Sequence, residues 1–125
     1  MIKTFYDTNK TPVQHKYSVH DIASWHEEAF PFATPADQKI KFKEELREWN
    51  ESHDLSELAD MYVVACGMTR YETLDAQIAF HQINEECLLN HIMSADLLDA
   101  VDKKMSINKQ RQWKRLASGV YKHIS

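Results

Sequence analysis

The chain has 125 residues, 43% hydrophobic and 27% charged, with a formal net charge of −4. That is the makeup of a soluble globular protein with room for one domain, and its acidic balance argues against a general binder of nucleic acid or anionic membranes. No apolar segment approaches the roughly 20 residues needed to span a bilayer and the N-terminus lacks the apolar run of an export signal, so a cytoplasmic protein is expected.

With two glycines and three prolines in the whole chain, and no clear alternating run of β-branched residues, helices are expected nearly throughout. The expected fold class is all-α: a bundle of about five helices filling a single domain over residues 1–125. Residues 1–17 read as an irregular lead. Ser18 with Asp21 opens a first helix, about 19–29, which Pro31 stops. Thr34 as N-cap, Pro35 at the first helical position and Asp37 in the first turn start a second, about 35–51. His53-Asp54 makes a short break, and Asp54 caps a third helix reaching about Arg70. A fourth pattern spans about 72–92. Ser94 caps a long fifth helix that ends before Gly119, read as its C′ glycine, leaving 119–125 as a tail. Cys66 and Cys87 lie apart in apolar helical surroundings and are expected to be reduced, packed thiols rather than a disulfide or zinc site.

The acids of residues 44–64, EELREWNESHDLSELADMYVV, separate under helical projection. Phe42, Leu46 and Trp49 form the core stripe of the second helix, with Glu45 and Glu48 on its flank. A solvated acidic face would account for that pair. Glu57 and Asp60 are different, because they share a stripe with Val64 and Met68 on a helix that is apolar all round from Met61 to Met68. A capping box with Asp54 would place Glu57 at the surface, but it does nothing for Asp60. Buried unpaired carboxylates cost several kcal/mol each, so such groups need a metal, a cationic partner or a raised pKa. Two such pairs on adjacent helices form a cluster of four acids, and an all-oxygen set favours Mg²⁺ or Mn²⁺. A di-iron bundle would want Glu-x-x-His pairs, which the chain lacks.

On the fifth helix, Lys104, Asn108 and Arg111 continue the stripe of Leu97 and Val101. A point charge, an amide and a guanidinium fork suit an oligophosphate. The plainer reading is a basic helix end favoured by the dipole, which suffices for Lys103, Lys109, Lys114 and Arg115.

The ordered set EExxE (Glu44, Glu45, Glu48), ExxD (Glu57, Asp60) and KMxxNxxR (Lys104, Met105, Asn108, Arg111) resembles the all-α, MazG-like nucleoside triphosphate pyrophosphohydrolases. The similarity runs over about residues 20–113. It implies a four-helix core completed by oligomerisation, as a homodimer or homotetramer, and Mg²⁺-dependent hydrolysis of a nucleoside triphosphate to monophosphate and pyrophosphate, as in nucleotide-pool housekeeping. On this resemblance Glu45, Glu48, Glu57 and Asp60 would be metal ligands, and Lys104, Asn108 and Arg111 would contact phosphates. Trp25 and Phe30, in WHEEAFP, would border the base, although core packing explains either alone. Lys41 would be a further phosphate contact or a solvated lysine. Two features depart from the family: the gap between Glu48 and Glu57 is short, and residues 72–93 align with nothing in it.

The layout implies that Glu48 or Glu45 orients or deprotonates a water for in-line attack at the α-phosphorus. The competing expectation is a non-catalytic helical protein that binds nucleotide or a partner, its acids held in an ion-pair network with Lys and Arg. Base and sugar preference are not legible at this level.

Overall fold

The structure, a computed structural model, describes residues 16–124. Five helices follow in order: α1 (Val19–Ala29), α2 (Pro35–Ser52), α3 (Leu55–Met68), α4 (Asp75–Leu89) and α5 (Ser94–Asn108). A short antiparallel hairpin closes the chain, β1 (Trp113–Arg115) paired with β2 (Tyr121–His123). The class is all-α, as the composition predicts. Of the expected lead, only Lys16 and Tyr17 are described; their N–H groups donate to the Asp102 carboxylate on α5.

Local chemistry sets the first helix starts. Ser18 and Asp21 form a reciprocal capping box, as do Thr34 and Asp37, with Pro35 in the first turn of α2. His53, in the left-handed region at φ 53°, ends α2, and Asp54 caps α3 by accepting from the Ser56 N–H. The cap bonds Ser56 rather than forming a box with Glu57, so Glu57 is not explained as a surface capping residue.

α3 is the centre of the bundle and packs against each of the other four helices. Leu58, Ala59, Met61 and every residue from Val63 to Met68 are buried, which is the all-round apolar helix expected from its sequence. Around it lie Ile22 of α1, Trp49 of α2, Ile83 and Cys87 of α4, and Leu97, Val101 and Met105 of α5. Each large aliphatic side chain so enclosed contributes about 1.5–3 kcal/mol of burial free energy. Trp49 also donates its indole N–H to Glu86 at 2.8 Å, tying α2 to α4. Cys66 and Cys87 are free, buried thiols whose pKa values burial pushes up to about 12 and about 11. Among the described residues no helix is long and apolar enough to cross a membrane.

Two sequence expectations need correction. Ser94 is not the cap of α5: it is the first helical residue, following Met93 at the N-cap. The larger change is at the other end, where α5 stops at Asn108 instead of continuing toward Gly119. Gly119 is a turn residue of the hairpin at φ 94°, and an added Cβ would strike the Asp37 carboxylate. The reason is tertiary: Trp113 and Tyr121 leave the helical path to pack on Phe30 of the α1–α2 connection, at ring separations of 5.0 and 4.7 Å. The fourth helix is also shorter than expected. It starts after Thr73, whose hydroxyl accepts from the Asp75 N–H, and ends at Asn90, with His91 at φ 55°.

Gly67 sits in α3 because the His26 imidazole lies directly on it. A Cβ there would come within 2.5 Å of His26 Cδ2 and Nε2. The ring is buried and cannot swing away freely. Gly67→Ala should therefore destabilise the fold by about 1–3 kcal/mol, the usual cost of overpacking, despite alanine's better helix propensity. Urea denaturation would read this directly, and a neutral or stabilising result would show that the ring yields easily.

Candidate active site

α2 presents Gln38, Lys41, Glu45 and Glu48 at spacings of three, four and three residues, so all four fall near one face. α3 brings Glu57 and Asp60 alongside, α5 brings Lys104 and Asn108, and α1 ends in Trp25, His26 and the capping Phe30. These side chains line a single cavity of about 260 Å³, and the hairpin closes over it with Trp113, Val120, Tyr121, Lys122 and His123. Every residue singled out in the sequence for metal, phosphate or base contact borders this space. Arg111 does so too, but from the connection after α5 rather than from the helix on which its spacing placed it.

The acids do not stand in equivalent surroundings. One oxygen from each of Glu45, Glu57 and Asp60 falls within 4.8 Å of the others, while Glu48 lines the same cavity outside that trio. Glu45 is the most enclosed, at 5% exposure. Burial, and then the charge of Asp60, push its pKa up to about 8 despite the Lys41 ammonium 3.0 Å from Oε1. Burial likewise raises Asp60 even though Lys104 lies 3.1 Å from Oδ2. Burial followed by repulsion from Asp60 raises Glu57. Glu48 moves the other way: burial opposes its charge, but side-chain hydrogen bonding with Glu45 and then Glu57 leaves it below the ordinary glutamate range. Burial also works against the Lys41 charge, and Glu45 outweighs it, so Lys41 is lifted.

This donor set fits a hard divalent cation. The three clustered ligand atoms are all oxygens, and their carboxyls are held at raised pKa values, which an added positive charge would relieve. Glu45 Oε2 is buried with no hydrogen-bond partner among the described residues. An orphaned buried carboxylate oxygen is costly, and a cation would satisfy it.

The cavity lining also holds an aromatic cluster. Phe30 meets Trp25 edge-on at 5.2 Å and Trp113 at 5.0 Å, with Tyr121 tilted against it. Phe30 is buried and Trp25 half-buried, so both pack in this cluster and border the cavity at once. The hairpin is pinned by Arg115, 3.6 Å from Asp37, and by Lys122, 3.9 Å from Glu44.

Sequence reasoning missed His26, Gln38 and the hairpin residues. His26 is 2% exposed and bonded on both ring nitrogens, to Gln38 Oε1 at 3.0 Å and to Arg70 Nη1 at 2.9 Å. Burial, and then the Arg70 charge, lower its pKa to about 3. The available signal was Gly67, a lone glycine within an apolar helix, which marks close approach of another group.

No family model matches the chain, and no solved structure does. One curated relative is the dATP/dGTP diphosphohydrolase of Salmonella phage PMBT28, 29% identical over 105 residues. The alignment covers 82% of this chain but 29% of that protein, so the chain spans less than a third of its relative's length.

The neutral His26 gives a pH signature. Its folded pKa lies below the 6.5 of an exposed imidazole, so between about pH 6.5 and 3 the unfolded chain binds a proton that the fold refuses. Stability attributable to this group is complete above pH 6.5 and declines as pH falls, at up to about 1.4 kcal/mol per pH unit. Denaturation of wild type and His26→Gln across pH 4–7 should show wild type losing ground to the variant on acidification. Parallel curves would mean that the imidazole becomes charged in place.

Proposed function

We propose that the chain is a MazG-like nucleoside triphosphate pyrophosphohydrolase that converts a purine deoxynucleoside triphosphate to its monophosphate and pyrophosphate. The observation that carries this reading is the convergence of Glu45, Glu48, Glu57 and Asp60 with Lys104, Asn108 and Arg111 on one cavity. The named activity of the phage relative supports the reaction and the purine preference, over the part of that protein that aligns.

Glu45, Glu57 and Asp60, with Glu48 beside them, would hold Mg²⁺ or Mn²⁺, which when bound supplies neutralisation of phosphate charge and Lewis acidity. Glu48 or Glu45 would orient a water and take its proton. The water oxygen bonds to the α-phosphorus as the bond from that phosphorus to the bridging oxygen breaks, and the electron pair leaves with pyrophosphate. Lys104 and Arg111 would stabilise that leaving group as point charge and bidentate fork, and the Asn108 amide would donate to a phosphate oxygen. Lys41 offsets the charge of Glu45 through the 3.0 Å pair.

Asp60→Asn and Glu57→Gln should each lower Mg²⁺-dependent pyrophosphate release from dATP or dGTP by on the order of 100-fold or more. Losing even a group that supports a ligand costs about 10–100-fold, and these would be ligands themselves. Wild-type release in both variants would refute the metal assignment.

The two ion pairs, Lys41–Glu45 and Lys104–Asp60, favour a second reading, a non-catalytic helical protein whose acids are satisfied internally. Thermal denaturation separates the two. The enzyme should gain about 2.7 kcal/mol with Mg²⁺ and a non-hydrolysable dATP analogue at a hundredfold over its Kd, whereas a self-satisfied network responds to neither.

A further inference from the structure

We propose that Gln38 is the residue that reads the base, its side-chain NH₂ donating to N7 of adenine or guanine while His26 and Arg70 fix the amide in that orientation. The inference rests on the reading of the cavity as a nucleotide site and deepens it.

The argument runs along a chain of hydrogen bonds whose polarity is set at one end. A guanidinium can only donate, so the Arg70 Nη1 contact at 2.9 Å makes His26 Nδ1 an acceptor. The imidazole is then neutral with its proton on Nε2, which donates to Gln38 Oε1 at 3.0 Å. One lone pair of the amide oxygen is thereby taken and the oxygen is turned toward His26, so the group Gln38 presents to a ligand is its NH₂, a pure donor. Arg70 is itself held by the carbonyls of Phe30 at 3.1 Å and His26 at 3.4 Å, so the chain does not begin on a mobile side chain. His26 is clamped against Gly67, where no Cβ intervenes.

Position selects the base as what this donor meets. Gln38 is 5% exposed, borders the cavity, and bonds the His26 ring, which lies 4.7 Å from Phe30 and 6.3 Å from Trp25, rings that border the same cavity. Glu45 follows seven residues later on the same helix, about 10 Å along the axis, which leaves room for a deoxyribose between base and phosphates. Adenine and guanine differ at positions 1, 2 and 6 but share acceptors at N3 and N7. N3 is flanked by the glycosidic bond, which leaves N7 as the open common acceptor. A fixed NH₂ donor there accepts both purines.

Analogues in which N7 is replaced by C–H test this without changing the protein. Wild type should use 7-deaza-dATP and 7-deaza-dGTP with kcat/KM about tenfold below the parent triphosphates, the cost of about 1.4 kcal/mol for an unmade hydrogen bond. Gln38→Glu keeps an acceptor for the His26 N–H but removes the donor, so it should bring the parent-to-deaza ratio close to one. Arg70→Met frees the imidazole tautomer and should shrink the same ratio while circular dichroism shows a folded helical chain; a purely structural role would slow both substrates alike. A wild-type ratio near one, or a ratio retained in Gln38→Glu, overturns the assignment. Should wild type hydrolyse no triphosphate, the functional reading fails separately, and binding decides this one. dAMP should quench tryptophan fluorescence at about tenfold lower concentration than 7-deaza-dAMP, and equal binding or none sinks it.

Discussion

The carboxylates of Glu45 and Asp60 are held in a cavity whose lining includes Val63 and Val64, and that desolvation is the constraint from which the rest of the site follows. Water would have screened these charges from one another; here they meet at reduced dielectric, where repulsion is stronger. Lys41 and Lys104 each answer one acid at close range. They do not answer all of them, since Glu57 stays raised and Glu45 Oε2 keeps no partner among the described residues. Of the other cavity cations, Lys122 of the hairpin lies 3.9 Å from Glu44 and Arg111 borders the cavity from the connection after α5. Positive and negative groups are thus interleaved around the cavity, but their pairing is incomplete. An arrangement built only for stability would pair them, because breaking or omitting one partner of a buried pair is expensive. The unpartnered Glu45 Oε2 leaves the acidic cluster receptive to a further cation.

The buried α3 makes such a site tolerable. Its contacts with all four other helices concentrate the burial free energy of the bundle on one element, and the polar residues occupy only its first turns. The same helix that anchors the core therefore carries Glu57 and Asp60 at its entrance, where α2 turns back at the left-handed His53. The short gap between Glu48 and Glu57, a departure from the resembling family, is absorbed by that sharp turn and the Asp54 cap.

Legibility in the sequence tracks how local the determining chemistry is. Ser18–Asp21 and Thr34–Asp37 are capping boxes written in four residues each, and both helices begin where those residues say. Asp60 stood out because a carboxylate on an otherwise apolar stripe contradicts its surroundings, a conflict visible without coordinates. The end of α5 was illegible because neither glycine nor proline lies between Asn108 and Ser118; the helix stops because Trp113 and Tyr121 find Phe30, more than 80 residues earlier in the chain. Gly119 suits a helix C′ position and a hairpin turn equally well, and only the tertiary partner decides between them. His26 hid for a related reason. A histidine among acids on an amphipathic helix looks solvated until Gln38 and Arg70 are placed beside it.

Keeping His26 neutral has a consequence for the cavity as a whole. A protonated imidazole beside Gln38 would put a positive charge at the aromatic end, where it would compete with Lys104, Arg111 and Lys122 for anionic groups. Burial and the adjacent Arg70 suppress that charge, and Arg70 itself is engaged by backbone carbonyls rather than offered to a ligand. The surroundings of Gln38 and Phe30 consequently carry no imidazolium charge. The His26–Gln38 bond, which looks at first like core packing, thus serves the polarity of the site as much as the stability of the fold.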